Sequence, residues 1–186
     1  MSTSNVNSNS RRNFIQQSAI AGTSIMLASP LQLFSRDNQS KTMNNNIKTK
    51  GYAAKDESGK LSPWEFERRP VGDDDILIDI KYASICHSDI HQEKGHWGKQ
   101  QYPQVPGHEI VGVVAAVGKN VTKFKVGDRA GVGCMVDSCM ECESCTHGEE
   151  HFCDRGQTVF TYGYPTEAEP TGISQGGYSD KIVVRD

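Results

Sequence analysis

Four of the six cysteines lie within fifteen consecutive positions, and this cluster restricts the chain more than any other feature of the sequence. They are Cys139, Cys142, Cys145 and Cys153. Tight turns at this spacing aim four thiolates at a common point, as a closed tetrahedral zinc site with a structural role requires. A disulfide framework is the alternative, although cysteines this close in sequence rarely reach disulfide geometry without strain. The spacing therefore predicts a structural zinc site in a lobe of about residues 134–156.

Cys134 lies just outside this cluster and breaks its spacing. Free cysteines are often buried and then behave as small hydrophobic side chains. We therefore expect a buried thiol at this position, with no ligand role.

The chain after Lys48 consists of short apolar segments separated by Gly, Pro and Asp. Apolar residues alternate over residues 76–82, which predicts a strand with one buried face, and the continuous apolar run Ile110–Val117 predicts a buried strand. Alternation over Val121–Val126 and the apolar segment Tyr178–Val184 suggest further strands. No segment has a long amphipathic helical period, so the expected fold is mainly β, a barrel or a partly open barrel.

Residues 1–47 are rich in Ser, Asn, Gln and Thr and are expected to form a flexible leader. Within it, Arg11-Arg12 followed by the apolar run Ala19–Ala28 resembles a twin-arginine export signal. The run ends without a clear small-x-small cleavage site, and a chance basic pair is the alternative. The expectation is a periplasmic protein, with a cytoplasmic location as the alternative.

Charge and hydropathy exclude two classes of partner. The formal net charge is -3 and no basic block is present, so nucleic acid is not expected as a partner. No run approaches the roughly eighteen apolar residues that a membrane-spanning helix needs. The sequence gives no indication of oligomeric state.

A second group of metal-binding residue types lies upstream of the cysteine cluster. Cys86-His87-Ser88-Asp89-Ile90-His91 follows the alternating strand, and Gly107-His108-Glu109 precedes the continuous apolar strand. Each residue alone is weak evidence, because a single His at a strand end is usually just a polar loop residue. Together, a thiolate and an imidazole with an incomplete ligand set indicate an open, catalytic zinc site.

These motifs resemble the zinc-dependent medium-chain alcohol dehydrogenases. Gly107-His108-Glu109-x-x-Gly112, continued by Gly118 and Val121, is similar to the signature of that family, and the other two motifs follow in the family's order. The residues before Cys139 look most like the cinnamyl-alcohol-dehydrogenase branch. The resemblance covers residues 48–186 and implies a GroES-like catalytic domain, a partly open β-barrel with a zinc-binding lobe.

The resemblance also implies a mechanism, the reversible oxidation of an alcohol to an aldehyde with a nicotinamide cofactor. Cys86 and His108 would bind the catalytic zinc, and Glu109 would enter the coordination sphere during ligand exchange. Ser88 would take the alcohol proton, and His91 would pass it to solvent.

Three further roles are implied by the resemblance. His87 would contact the cofactor pyrophosphate, Asp89 would orient the imidazole of His108, and Trp97 would form a wall of the substrate pocket. The alternative is that Ser88 and Asp89 are turn residues and Trp97 is a core aromatic residue.

We expect that residues 1–186 do not include the nucleotide-binding Rossmann domain of this family. Its Gly-rich turn has only one imitation, Gly131-Val132-Gly133, where Val136 stands in the place of the third glycine. A third protein ligand for the catalytic zinc belongs to that domain, so we expect weak binding of this zinc. The chain is therefore interpreted as part of an alcohol dehydrogenase that uses NADP(H) and is inactive alone. A standalone, non-catalytic zinc-binding module is the alternative, and a purely structural barrel is ranked last.

Overall fold

The computed structural model describes residues 45–186. The predicted twin-arginine pattern around Arg11 and Arg12 lies outside the described residues. The described part begins just before the first strand, which starts at Ile47.

Strands dominate the described residues, and the helices among them are short. The strands are β1 (Ile47–Ala54), β2 (Leu61–Arg68), β3 (Asp75–Ala83), β4 (Ile110–Val117), β5 (Arg129–Val132), β6 (Met135–Asp137), β7 (Val159–Phe160) and β8 (Lys181–Arg185). The helices are α1 (His87–Glu93), α2 (Glu143–Thr146) and a single 3₁₀ turn at Glu150–Phe152. No helix in this part of the chain is long and apolar enough to cross a membrane.

The largest sheet has four antiparallel strands in the order β5-β4-β3-β8. One face carries the main core, which is formed by Ile76, Ile78, Ile110, Val114, Ala130, Val132, Ile182 and Val184. The opposite face is also covered at one end, where Leu77 and Val183 pack with Ile47 and Val71. The prediction of a single buried face for β3 was therefore wrong at Leu77. At the other end of β3, Tyr82 is 77% exposed, because the strand leaves the core before α1.

Two further sheets have two strands each. β1 pairs with β2, and their buried residues Ala53 and Phe66 pack with Val105. β6 pairs with β7 on either side of the cysteine-rich loop. The mainly β prediction is confirmed, and no sheet within residues 45–186 closes into a barrel.

Two predicted strand segments differ from the structure. Val121–Val126 forms a connection between β4 and β5, in which Val121 and Phe124 pack against the main core. The two packed residues are three positions apart and Val126 is 51% exposed, so burial does not alternate here. The backbone turns at Gly118 and Gly127 instead of pairing with a strand. The closing strand begins at Lys181 and not at Tyr178.

Candidate metal centres and substrate pocket

The four clustered cysteines converge as a tetrahedral zinc site requires. Their sulfur atoms all lie within 4.8 Å of one another. The Cys139 and Cys145 sulfurs are 3.7 Å apart, and the Cys142 and Cys153 sulfurs are 4.0 Å apart. Four sulfurs bound at about 2.3 Å to a tetrahedral centre lie about 3.8 Å from each other, so the cluster fits zinc. All four cysteines are free thiols in the structure.

The loop backbone supports this cluster locally. The N–H of Cys142 donates to the sulfur of Cys139, and the N–H of Asp154 donates to the sulfur of Cys142, both at 3.4 Å. Met140 adopts a left-handed conformation with φ 58°, which turns the chain between the first two cysteines. Nearby backbone N–H groups also lower the pKa of Cys139 and lower that of Cys153 to about 6. Such thiols ionise readily, and the thiolate is the form that binds metal.

The second predicted metal cluster is also brought together. Candidate ligand atoms of Cys86, His108 and Glu109 lie within 4.8 Å of one another. Cys86 stands at the end of the connection from β3 to α1, and His108 and Glu109 immediately precede β4. Because β3 and β4 are paired, residues flanking the same end of the two strands become neighbours. Thiolate sulfur, imidazole nitrogen and carboxylate oxygen are all zinc ligands, so this donor set also fits zinc.

Ser88 and Asp89 lie in the first turn of α1 beside this cluster. The hydroxyl of Ser88 is 3.4 Å from Nε2 of His108. The carboxylate of Asp89 is buried, and it accepts hydrogen bonds from the N–H groups of Cys86 and Gly107. None of the hydrogen bonds described for residues 45–186 joins Asp89 to the imidazole of His108. Asp89 therefore holds the backbone beside both metal-binding residues, which differs from the predicted contact with the imidazole.

The imidazole rings of His87 and His91, on α1, lie next to each other, and His96 follows the helix and contacts His91. Nδ1 of His91 is 2.8 Å from Nδ1 of His96, and the rings of His87 and His91 meet edge to face at 4.7 Å between centroids. Partial removal from water lowers the pKa of His91, and the neighbouring imidazoles lower it further. The ring of His91 is therefore favoured in its neutral form, which can accept a proton.

A cavity of about 290 Å³ adjoins the second cluster. Ser88 and His108 line one part of it. The rest of the lining is largely aromatic, and includes Trp97, Phe160, Tyr162 and Tyr164. Trp97 is 61% exposed, so it forms part of a pocket wall and is not a core residue. Tyr162 stacks on the imidazole of His108 with 5.5 Å between ring centroids.

The prediction of a buried thiol at Cys134 was wrong. Cys134 is exposed and lines the same cavity as His108. It lies between the end of β5 and the start of β6, where the chain leaves the main sheet for the cysteine-rich loop. Its side chain is therefore not packed in the core of the main sheet.

Two site residues were not found from the sequence. Tyr178 donates its hydroxyl hydrogen to Asp89 at 2.8 Å, and Tyr162 packs on His108. Both lie far from the metal-binding motifs in sequence, and neither belongs to a recognisable pattern. The only local signal is Gly176-Gly177 before Tyr178, since paired glycines often mark a close approach of backbone.

A mainly β domain that carries a four-cysteine loop and a separate Cys, His and Glu cluster beside an apolar pocket has the features of a metal-binding enzyme domain. The chain belongs to the family described as alcohol dehydrogenase GroES-like domain, whose profile matches residues 72–186. This match confirms the resemblance seen around Gly107, His108 and Glu109.

Named relatives agree with this assignment. Cinnamyl alcohol dehydrogenase 2 of Arabidopsis thaliana is 53% identical over 134 residues, which cover 72% of this chain and 35% of that protein. Probable mannitol dehydrogenase 1 of Stylosanthes humilis is 54% identical over 134 residues, which cover 72% of this chain and 36% of that protein. The chain thus spans little more than a third of the length of these relatives.

A solved structure supports the same fold. The cinnamyl alcohol dehydrogenase of Helicobacter pylori, complexed with NADP(H), superposes with a TM-score of 0.72 and 45% sequence identity. The likeness covers 76% of this chain and 40% of that chain. The GroES-like expectation is therefore confirmed.

Proposed function

We propose that this chain supplies the zinc-binding catalytic domain of an alcohol dehydrogenase that interconverts alcohols and aldehydes with NADP(H). The observation that carries the proposal is the convergence of Cys86, His108 and Glu109 beside an apolar cavity. The four-cysteine loop is proposed to hold a second zinc ion with a structural role. The solved structure of the Helicobacter pylori relative contains NADP(H), which supports the choice of cofactor.

The residues around the cavity suit an alcohol or aldehyde substrate. A zinc ion bound at Cys86, His108 and Glu109 would supply Lewis-acid chemistry, which favours loss of the proton from an alcohol. The flat side chains of Trp97, Phe160 and Tyr162 favour a substrate with an aromatic or extended apolar group. The buried ring of Tyr162 helps to keep water away from the imidazole of His108.

Proton transfer is proposed to follow α1. The hydroxyl of Ser88 lies beside the metal cluster, in position to accept the alcohol proton. His91 is three residues further along the helix, so the two side chains lie on the same helix face. The lowered pKa of His91 keeps its imidazole able to accept this proton and release it to solvent. His87 is exposed on the same helix, and we propose that it contacts the cofactor pyrophosphate.

Cobalt substitution tests the proposed site in the chain itself. The four-cysteine loop is first loaded with Zn²⁺, which has no such band, and Co²⁺ is then added. The thiolate charge-transfer band that this Co²⁺ gives at Cys86 should be lost in Cys86→Ser and retained in Cys134→Ser. Cinnamaldehyde should perturb this spectrum, because its ring fits the aromatic cavity beside the metal. Metal binding without any response to aldehydes or alcohols would instead favour a non-catalytic zinc module.

A chimera tests catalytic competence. Residues 45–186 would replace the matching segment of the Arabidopsis thaliana relative, which shares 53% identity over the aligned 134 residues. We expect NADPH-dependent reduction of cinnamaldehyde by this chimera and its loss on Cys86→Ser. A folded, zinc-loaded chimera without activity would argue against the proposed function.

A further inference from the structure

We propose that Tyr178 is a positioning residue for the catalytic metal cluster and that it acts through Asp89. The inference rests on the proposed function, because it concerns the same cluster of Cys86, His108 and Glu109. It adds a residue that follows the matched motifs by some seventy positions and touches none of the candidate ligands through its hydroxyl.

Asp89 forms hydrogen bonds with both backbone segments that carry candidate metal ligands, at Cys86 and at Gly107. Its side chain is 2% exposed. Oδ2 accepts the N–H of Cys86 at 2.8 Å, and Oδ1 accepts the N–H of Gly107 at 3.2 Å. Gly107 immediately precedes His108, so one carboxylate fixes the backbone beside both the thiolate and the imidazole. A small rotation of this carboxylate would change the distance between the two ligands.

Tyr178 provides the third hydrogen bond to this carboxylate. Its hydroxyl donates to Oδ2 of Asp89 at 2.8 Å. Burial raises the pKa of Tyr178, and the negative charge of Asp89 raises it further. The hydroxyl therefore stays protonated across the physiological range and remains a donor. A buried carboxylate needs such donors, because each lost hydrogen bond leaves part of its charge without compensation.

The backbone holds Tyr178 in place independently of this bond. Its N–H donates to the carbonyl oxygen of Pro106 at 3.0 Å, and its carbonyl oxygen accepts the N–H of Tyr52 at 2.8 Å. Its ring also packs against Gly107, where a Cβ would lie 2.7 Å from the ring. Gly107 has φ +98°, a conformation that also favours glycine. The tyrosine is thus a rigid support, and its hydroxyl has a defined position relative to Asp89.

This arrangement explains the position of Asp89 better than a direct contact with His108 does. In the structure, the imidazole of His108 is near the hydroxyl of Ser88 and stacks on Tyr162. The carboxylate of Asp89 instead reaches both ligand-bearing segments through their backbone. Tyr178 limits the rotation of that carboxylate by donating to Oδ2, the oxygen that also accepts the N–H of Cys86.

Tyr178→Phe is the test, because it removes one hydroxyl and keeps the ring that packs on Gly107. With the four-cysteine loop already loaded with Zn²⁺, we expect affinity for Co²⁺ at the Cys86 cluster to fall by roughly tenfold or more, with a changed thiolate charge-transfer band. Tyr102→Phe is the matched control. Tyr102 is also half-buried and donates its hydroxyl hydrogen to a carbonyl oxygen, that of Glu93, at 2.7 Å, but it does not contact Asp89. Equal cobalt affinity and equal spectra in the two variants would overturn the inference.

Hydrogen exchange tests the same inference without metal. In the metal-free chain, Tyr178→Phe should speed exchange of the N–H groups of Cys86 and Gly107 and leave the amides of β3 and β4 unchanged. A uniform increase across the sheet would mean a general loss of stability and would contradict a positioning role. Hydrogen exchange in the metal-free chain tests the role of Tyr178 independently of the proposed alcohol dehydrogenase function. Failure of the wild-type chain to bind Co²⁺ at Cys86 would count against that function alone.

A double-mutant cycle with Asp89→Asn checks the route of the effect. If Tyr178 acts through Asp89, the loss of cobalt affinity in the double variant should be smaller than the sum of the two single losses in free energy. Additive losses would show that Tyr178 acts by another route and would refute the inference as stated.

Discussion

Nη1 of Arg68 donates to the carbonyl oxygen of Gln175 at 2.8 Å, although 107 residues separate the two. The guanidinium is 1% exposed, and it also donates to the carbonyl oxygen of Gly176 and to the hydroxyl of Ser179. It thereby ties the end of β2 to the segment that carries Tyr178. Arg68 therefore stabilises the fold and also holds the segment of Tyr178, whose hydroxyl contacts Asp89 beside the metal cluster.

Arg68→Met should destabilise the protein by about 3 kcal/mol or more, because it removes the buried hydrogen bonds to Gln175 and Gly176 and weakens the charge compensation of buried Glu169. Urea unfolding measures this change. Lys50→Met is the control, since Lys50 and Glu65 form an ion pair in which both side chains are 76% exposed. Such an exposed pair contributes about 1 kcal/mol or less. A loss for Arg68→Met as small as that of the control would contradict the structural role of Arg68.

Cys153→Ser should remove one zinc ion from the chain and lower the melting temperature. Its thiol is one of four sulfurs at tetrahedral spacing, and a site with three thiolates binds zinc more weakly. Metal analysis and thermal unfolding give the two readouts. Cys134→Ser is the matched control, because Cys134 lies outside the cluster. Unchanged zinc content in Cys153→Ser would argue against the structural zinc site.

Iodoacetamide should modify Cys134 faster than any cysteine of the four-cysteine cluster in zinc-loaded protein. Cys134 is exposed, whereas Cys145 and Cys153 are buried and their thiolates would be bound to metal. Peptide mass spectrometry would locate the label. Because Cys134 lines the cavity, the modified chain should also lose its spectral response to cinnamaldehyde. Labelling that begins at Cys145 or Cys153 would contradict the proposed arrangement.

Glu93→Gln should raise stability at neutral pH but not in acid. Glu93 is buried, and Oε2 has no hydrogen-bond partner among residues 45–186. Burial raises its pKa above the ordinary value of 4.5, and the charge of Asp89 adds to the rise. Folding therefore favours protonated Glu93, and this contribution to stability is complete below about pH 4.5 and is lost as pH rises through the folded-state pKa.

Glutamine stays neutral throughout this pH range. The difference in unfolding free energy between Glu93→Gln and wild type should therefore grow as pH rises above about 4.5. It should become constant above the raised pKa of Glu93 in the folded protein. Urea unfolding across the pH range measures it, with the exposed Glu167→Gln as control. A difference that is the same at every pH would show that the charge of Glu93 is not the cause.

Residues that repeat a local pattern were predictable from the sequence. The four-cysteine spacing and the alternation in β3 depend on neighbours within a few positions, and so both could be read before the fold was known. Val121–Val126 shows the limit of this reasoning, because only Val121 and Phe124 pack against the main core and the segment forms no strand. Whether an alternating segment finds a partner strand depends on residues far away in sequence.

In the candidate site too, local residue patterns were predictable from the sequence, and contacts between distant residues were not. Cys86, His108 and Glu109 could be selected by residue type and by their positions at predicted strand ends. The contact partners of Asp89 could not be selected in this way, since they depend on how α1 sits against Gly107 and Tyr178. Cys134 was misjudged for a similar reason, because only the three-dimensional path after β5 shows that its thiol faces a cavity.

The bond between Tyr178 and Asp89 has a consequence for the order in which the two metal clusters can form. The cysteines from Cys139 to Cys153 are close in sequence, so the loop that they close has a small entropic cost and can fold early. The hydrogen bond of Asp89 instead needs Tyr178, which lies 89 positions later and is synthesised after most of the described chain. During translation, the four-cysteine loop should therefore become competent to take up zinc before the cluster of Cys86 and His108 is complete.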